Sequence, residues 1–137
     1  MTFEHLPEHI RTVPLPDLVI ADVLDLFVGP YDRRAGAVLF LLCDESDRLV
    51  VPVMIDGMPA WAPESDRRLC IRTVTEASVG TGGSVLIALA RPDRAEPTRA
   101  DQAWLADAIR ECRDRTRLLG VWACSLHESR RVGGSDG

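Results

Sequence analysis

Two stretches of the chain are apolar almost without interruption. Ala37–Cys43 reads AVLFLLC, and Ser84–Ala90 reads SVLIALA. Runs of this length with no polar alternation predict strands buried on both faces. After the first run, Asp44-Glu45-Ser46-Asp47 is a polar turn and Leu49–Ile55 an apolar return, which together predict a β-hairpin. Pro52 lies inside the return strand and has no N–H to give, so an edge position or a bulge is expected there. Asp56-Gly57 closes the hairpin.

Elsewhere the period is helical. In Asp17–Phe27, Leu18, Ala21 or Val23, Leu24 and Phe27 fall near one face, with Asp17 as the cap and Gly29-Pro30 as the stop. Residues 65–78 (SDRRLCIRTVTEAS) have helical spacing through Leu69, Ile71 or Arg72, Val74 and Ala77, against a high β-branched content. The longest pattern is Arg99–Leu119. Its apolar side holds Ala100, Ala103, Trp104, Ala108, Ile109 and Cys112, with Leu105 beside them. The other side predicts in-helix pairs Asp107–Arg110, Glu111–Arg115 and Asp114–Arg117, and Gly120 ends the helix. Val121–Leu126 (VWACSL) reads as a last strand, and Gly80–Gly83 as a flexible turn. The succession helix, hairpin, helix, strand, helix, strand predicts an α/β sandwich, one mixed sheet with flanking helices. A single domain over 17–126 is expected, with residues 1–16 an extended lead-in and 127–137 a frayed tail.

Composition narrows the chemistry. All sixteen basic residues are arginine, so a lysine-bearing phosphate loop and Schiff-base catalysis are both excluded. A net charge of −5 argues against a sequence-independent grip on nucleic acid. The four cysteines, at 43, 70, 112 and 124, form no C-x-x-C pair and read as small hydrophobes. No apolar run reaches the ~18 residues of a membrane span, and no basic stretch followed by an apolar one opens the chain, so a cytoplasmic protein is expected.

The strings AVLFLLCDESDRLVVPVMIDG and GSVLIALARPDRAEPTRADQAWLADAIRECRDRTRLLGVWACSL, in this order and spacing, resemble the RadC-like branch of the JAB/MPN/JAMM superfamily. In such proteins a strand ends in His-x-His-Pro, and Pro-Ser-x-x-Asp opens a long helix that runs to Leu-Leu-Gly and a strand. Pro92, Pro97, Thr98, Asp101, Leu118, Leu119 and Gly120 fall in those places. The resemblance implies a JAB/MPN-like (cytidine-deaminase-like) fold and a site for catalytic zinc. The zinc ligands are missing. The histidine places hold Leu89 and Arg91, or Ala88 and Ala90 in the alternative alignment. The family glutamate falls in Val51–Ile55, which has no acid, and Asp56 is the nearest. Asp101 alone cannot replace three protein ligands. Thr98 and Asp101 also have a local explanation, because T-x-x-D before an amphipathic run is a capping box.

The resemblance therefore implies a metal-free domain without cofactor, whose vestigial cleft gathers Asp56, Arg91, Thr98 and Asp101. Arg91 is expected to reach Asp101, with Asp93 and Glu96 competing, in a partly exposed pair contributing at most about 1 kcal/mol. The function this implies is a protein-interaction or scaffold module, with an unknown partner or a second copy, a homodimer being simplest. The alternatives are a hydrolase, or a small-ligand or nucleotide sensor, in the same cleft. Trp61, in a proline-rich loop, is a candidate anchor for a partner or a plug at the core edge. Three further groups read first as structure. Cys124 with His127 would need to share a face, which a strand denies them. Asp44, Glu45 and Asp47 form a solvated tip. Arg67, Arg68 and Arg72, with Arg91 and Arg94, are candidates for an anion site but read first as a solvated face, since positions 91–117 hold seven arginines against six acids.

Overall fold

The computed structural model describes residues 7–58, 61–78, 83–94 and 96–133. The two apolar runs become β1 (Ala37–Cys43) and β3 (Ser84–Ala90), buried at every position. They pair antiparallel along their whole length, from Ala37 opposite Ala90 to Cys43 opposite Ser84. β2 (Leu49–Asp56) pairs antiparallel with β1 on the other side, and β4 (Arg117–Cys124) lies parallel to β3. β5 (Ser129–Gly133) is antiparallel to β4. The chain is thus an α/β protein with one mixed five-stranded sheet in the order β2-β1-β3-β4-β5. Pro52 sits opposite Leu41 on the edge strand β2, as its missing donor requires.

Strand alternation sorts the core into two layers. Leu39, Leu41, Cys43, Leu86, Ala88 and Ala90 face the N-terminal helices α1 (Glu8–Thr12), α2 (Ile20–Phe27) and α3 (Pro30–Ala35). Phe40, Leu42, Val85 and Ile87 face α4 (Glu64–Ser78) and α5 (Arg99–Cys112), where Ile71, Trp104 and Ala108 meet them. Burying each of these large side chains contributes about 1.5–3 kcal/mol.

Several expectations need correction at the ends of elements. The lead-in is not simply extended, because α1 lies in it and Ile10 and Leu15 are core residues. Asp17 does not cap α2. It closes a 3₁₀ turn at Leu15–Asp17, and α2 begins three residues later without a side-chain cap. Gly29-Pro30 stops α2 but also starts α3, with Pro30 in the first turn, where a missing N–H costs nothing. α5 ends at Cys112, seven residues before the expected Leu119. A turn with Asp114 at φ 67° follows, and Leu118 and Leu119 belong to β4. Gly120 is therefore a strand residue, beside a register shift that leaves Leu119 without a partner on β3. Within the expected tail, Ser129–Gly133 forms β5 at the edge of the sheet, and residues 134–137 lie outside the described residues. Gly80, Thr81 and Gly82 of the expected flexible turn lie outside the described residues.

Candidate functional site

The parallel strands β3 and β4 end side by side, and the backbone N–H of Arg91 still donates to Cys124 O at 3.0 Å. From there Arg91 turns inward to the start of α5. Its Nε donates to Asp101 Oδ1 at 3.0 Å, and its Nη2 to Asp101 Oδ2 at 2.5 Å. The same guanidinium donates to Arg94 O and, at 3.1 Å, to Glu96 O, so it also folds the loop around itself. Asp101 completes the arrangement. Its Oδ2 accepts from Thr98 N at 2.9 Å, while Asp101 N donates to Thr98 Oγ1 at 3.1 Å. The T-x-x-D capping box is thus real, and its carboxylate serves the cap and the ion pair together.

The pair is more deeply buried than expected. The side chains of Arg91 and Asp101 are 3% and 0% exposed. A buried pair behaves unlike a surface one, since losing either partner strands a charge in low dielectric. Of the two competing acids, neither carboxylate takes the pair's place, and Glu96 contributes only its backbone carbonyl. Asp56 does not join the cleft either. It is exposed at the end of the edge strand β2, opposite Ala37, with β1 standing between it and β3. It makes no ion pair among the described residues. The four expected cleft residues therefore reduce to Arg91, Thr98 and Asp101.

These residues do not fit a zinc ion. Both oxygens of Asp101 already accept bonds, a permanent cation fills the space beside them, and Ala88, Leu89 and Ala90 offer no donor side chain. Among the described residues no group of three or more His, Cys, Asp or Glu side chains is placed to hold a metal ion.

The other candidates also resolve into structure. Asp44 Oδ1 accepts from Ser46 N and Arg48 N at 2.8 and 3.0 Å, which shapes the hairpin turn. Asp47, at φ 65°, accepts from Ser84 Oγ at 2.7 Å and pairs with Arg117 at 2.8 Å. The acidic tip is a tie to β3 and β4. Cys124 is buried, and burial pushes its thiol pKa up, so no thiolate is available as a nucleophile. Cys43 is pushed up to about 12 by the same cause, and Cys70 and Cys112 to about 11. His127 sits in the turn after β4, its N–H donating to Ser125 Oγ at 3.3 Å. Trp61, just before α4, is 78% exposed, which excludes a plug at the core edge.

Two charged centres were not anticipated. The expected in-helix pairs of α5 give way to pairs with α4. Asp107 accepts from Arg67 Nε at 2.7 Å, and Glu111 accepts from Arg68 and Arg72 at 2.8 and 3.1 Å. The hydrogen bonds from Arg72 and then Arg68 hold the Glu111 carboxyl down at about 2. Arg33, buried in α3, donates to Val28 O at 3.2 Å, Ser125 O at 2.9 Å and Asp25 Oδ1 at 2.8 Å. It fastens the N-terminal helices to the end of β4. The four-residue spacing of Arg68 and Arg72 gave a hint of the first centre, but nothing local pointed to the second.

No family model, curated protein or solved structure matches the chain.

Proposed function

We propose that this chain is a JAB/MPN-like domain that does without the family's metal and acts as a protein-interaction or scaffold module. The run of hairpin, helix, strand, helix and strand from β1 to β4 supports the reading, as does the strand–loop–helix junction with Thr98 and Asp101 at the head of α5. The observation that carries it is the engagement of Asp101. The one acid left at the family's metal site binds a guanidinium at a place where the resemblance expects a ligand histidine. A hydrolase in this cleft needs a carboxylate able to take a proton from water, and Asp101 is closed to solvent with both its oxygens accepting hydrogen bonds from the protein. With the cleft held shut by its own side chains, the exposed Trp61 is the group suited to anchor a partner, a second copy of the chain being the simplest.

The test has two arms. Protein purified from zinc-supplemented cells should carry no stoichiometric zinc, and a chelator should leave its Tm unchanged, since no metal-linked stability exists to lose. One zinc per chain by elemental analysis overturns the reading. Sedimentation velocity should then show self-association that Trp61→Ser weakens. A monomer at all concentrations removes the homodimer and leaves a different protein as the partner.

A further inference from the structure

Where α4 crosses the edge of the sheet it leaves a hollow of about 330 Å³ beside β2. Ile55 of β2 and Met58 form one side, and Leu69, Cys70 and Val74 of α4 form the other. α4 turns Ile71 and Val74 down onto the sheet, while Leu69 points outward and stays 60% exposed. Among the described residues, one charged side chain lines the space, Asp66 in the first turn of α4. The arginines that follow it in sequence are engaged with α5, Arg67 with Asp107 and Arg68 with Glu111. Asp66 itself makes no ion pair and no side-chain hydrogen bond among the described residues.

This lining selects its occupant in two ways. Met58 and Cys70 present sulfur, which packs favourably against an aromatic ring. The Asp66 carboxylate can only accept, so it requires an N–H or O–H donor at the rim. An indole meets both demands, because its ring is a large apolar body and its Nε1–H only donates. The chain carries such a group beside the hollow. Trp61 lies between Met58 and α4, and at 78% exposure its ring does not fill the hollow of its own chain. We propose that two copies of the chain pair by reciprocal insertion, the Trp61 indole of each entering the hollow of the other with its N–H on Asp66. A knob and a hole close together on one surface are what a self-complementary patch requires, and the contact closes a two-fold dimer. A tryptophan seated in a pocket is also the commonest kind of interface anchor. The inference rests on the interaction-module reading and names the receptor into which Trp61 docks.

The test uses two variants of the full chain. Trp61→Ser removes the knob and leaves the hollow open, whereas Thr73→Phe, from the exposed rim of α4, fills the hollow and keeps the knob. By sedimentation velocity the unmodified chain should dimerise, and each variant alone should be monomeric. Mixed, the two should associate, because the open hollow of one chain receives Trp61 of the other and restores one contact of the two. The Ile55 methyl resonances of labelled Trp61→Ser should shift in that mixture and not in its absence. Asp66→Asn should weaken the dimer about tenfold, since a charge-assisted bond is lost in each copy. Ile55→Phe fills the hollow from the opposite wall if Thr73→Phe does not fold. In a dimer of labelled and unlabelled unmodified chains, the Trp61 ring of one copy should show NOEs to the Ile55 methyls of the other. Undiminished dimerisation of the filled variants overturns the proposal, as does a mixture that stays monomeric or a Trp61 ring that meets only the other copy's Trp61. An unmodified chain that is monomeric at every concentration overturns the dimer and leaves Trp61 as the anchor for a different protein. Dimerisation that Trp61→Ser does not weaken overturns the choice of Trp61 as anchor as well.

Discussion

Two of the places where the chain joins opposite charges have the same chemistry and unequal burial. At the head of α5, Arg91 and Asp101 are sealed from solvent, and every side-chain hydrogen bond described for them stays within one strand–loop–helix junction. Between α4 and α5, Glu111 is buried, but Arg68 and Arg72 remain 34% and 41% exposed and can turn to water. The first pair fixes the path of the loop between β3 and α5, beside the Thr98 cap. The second ties together two helices that already pack through Ile71, Trp104 and Ala108. Solvent access, more than the number of bonds, should decide what each is worth.

The strongest break of that comparison is Arg91→Met. It leaves the Asp101 charge buried without its partner and should cost about 3–5 kcal/mol by urea denaturation. Replacing both residues, as Arg91→Met with Asp101→Leu, should recover part of this loss, because no isolated charge remains. Equal losses for the single and double variants would show that the cap, and not the ion pair, governs the site. Next comes Glu111→Gln, which should cost about 1–2 kcal/mol, less than a sealed pair because its arginines rehydrate. Acid sharpens the same contrast. The Glu111 carboxyl titrates at about 2 in the folded chain against an ordinary value near 4.5. A lowered folded pKa stabilises above the unfolded value, so this contribution is complete above about pH 4.5 and disappears as pH falls toward 2. Glu111→Gln should flatten that part of a Tm-against-pH curve. Thr98→Ala should cost about 1 kcal/mol, a lost N-cap with the ion pair intact. Smallest of all, Asp56→Ala should change stability by less than about 0.5 kcal/mol, as for an exposed side chain away from any network. A larger effect would return Asp56 to the cleft.

What the sequence revealed follows the reach of each signal. β1 and β3 were legible because unbroken apolar runs have few other places to go. Pro52 marked its own edge, and Thr98 and Asp101 announced a cap within four residues. The Arg91–Asp101 contact could be anticipated because the loop joining strand to helix is short, though its depth could not, since burial depends on the whole fold. β5 was missed because SRRVG alternates nothing. It is a strand because the turn held by Ser125, whose N–H donates to Glu128 O at 2.8 Å, lays it against β4. The end of α5 was misjudged because Arg113–Arg117 continues a helical charge pattern while Leu118 is drawn to the sheet opposite Val85. Pairs such as Glu111 with Arg72 join residues 39 apart in sequence, beyond any local rule.

Pro52 on β2 has a consequence for how the molecule meets its own kind. A bare sheet edge is a template on which another chain's backbone can continue the ladder, and repeated addition leads to fibres. Here one border carries a proline at mid-strand, and the other is five residues long with two adjacent arginines, Arg130 and Arg131. Both features discourage templated growth. At high concentration the native domain should therefore stay out of ordered polymers, and any complex it builds must be held through side chains on its faces.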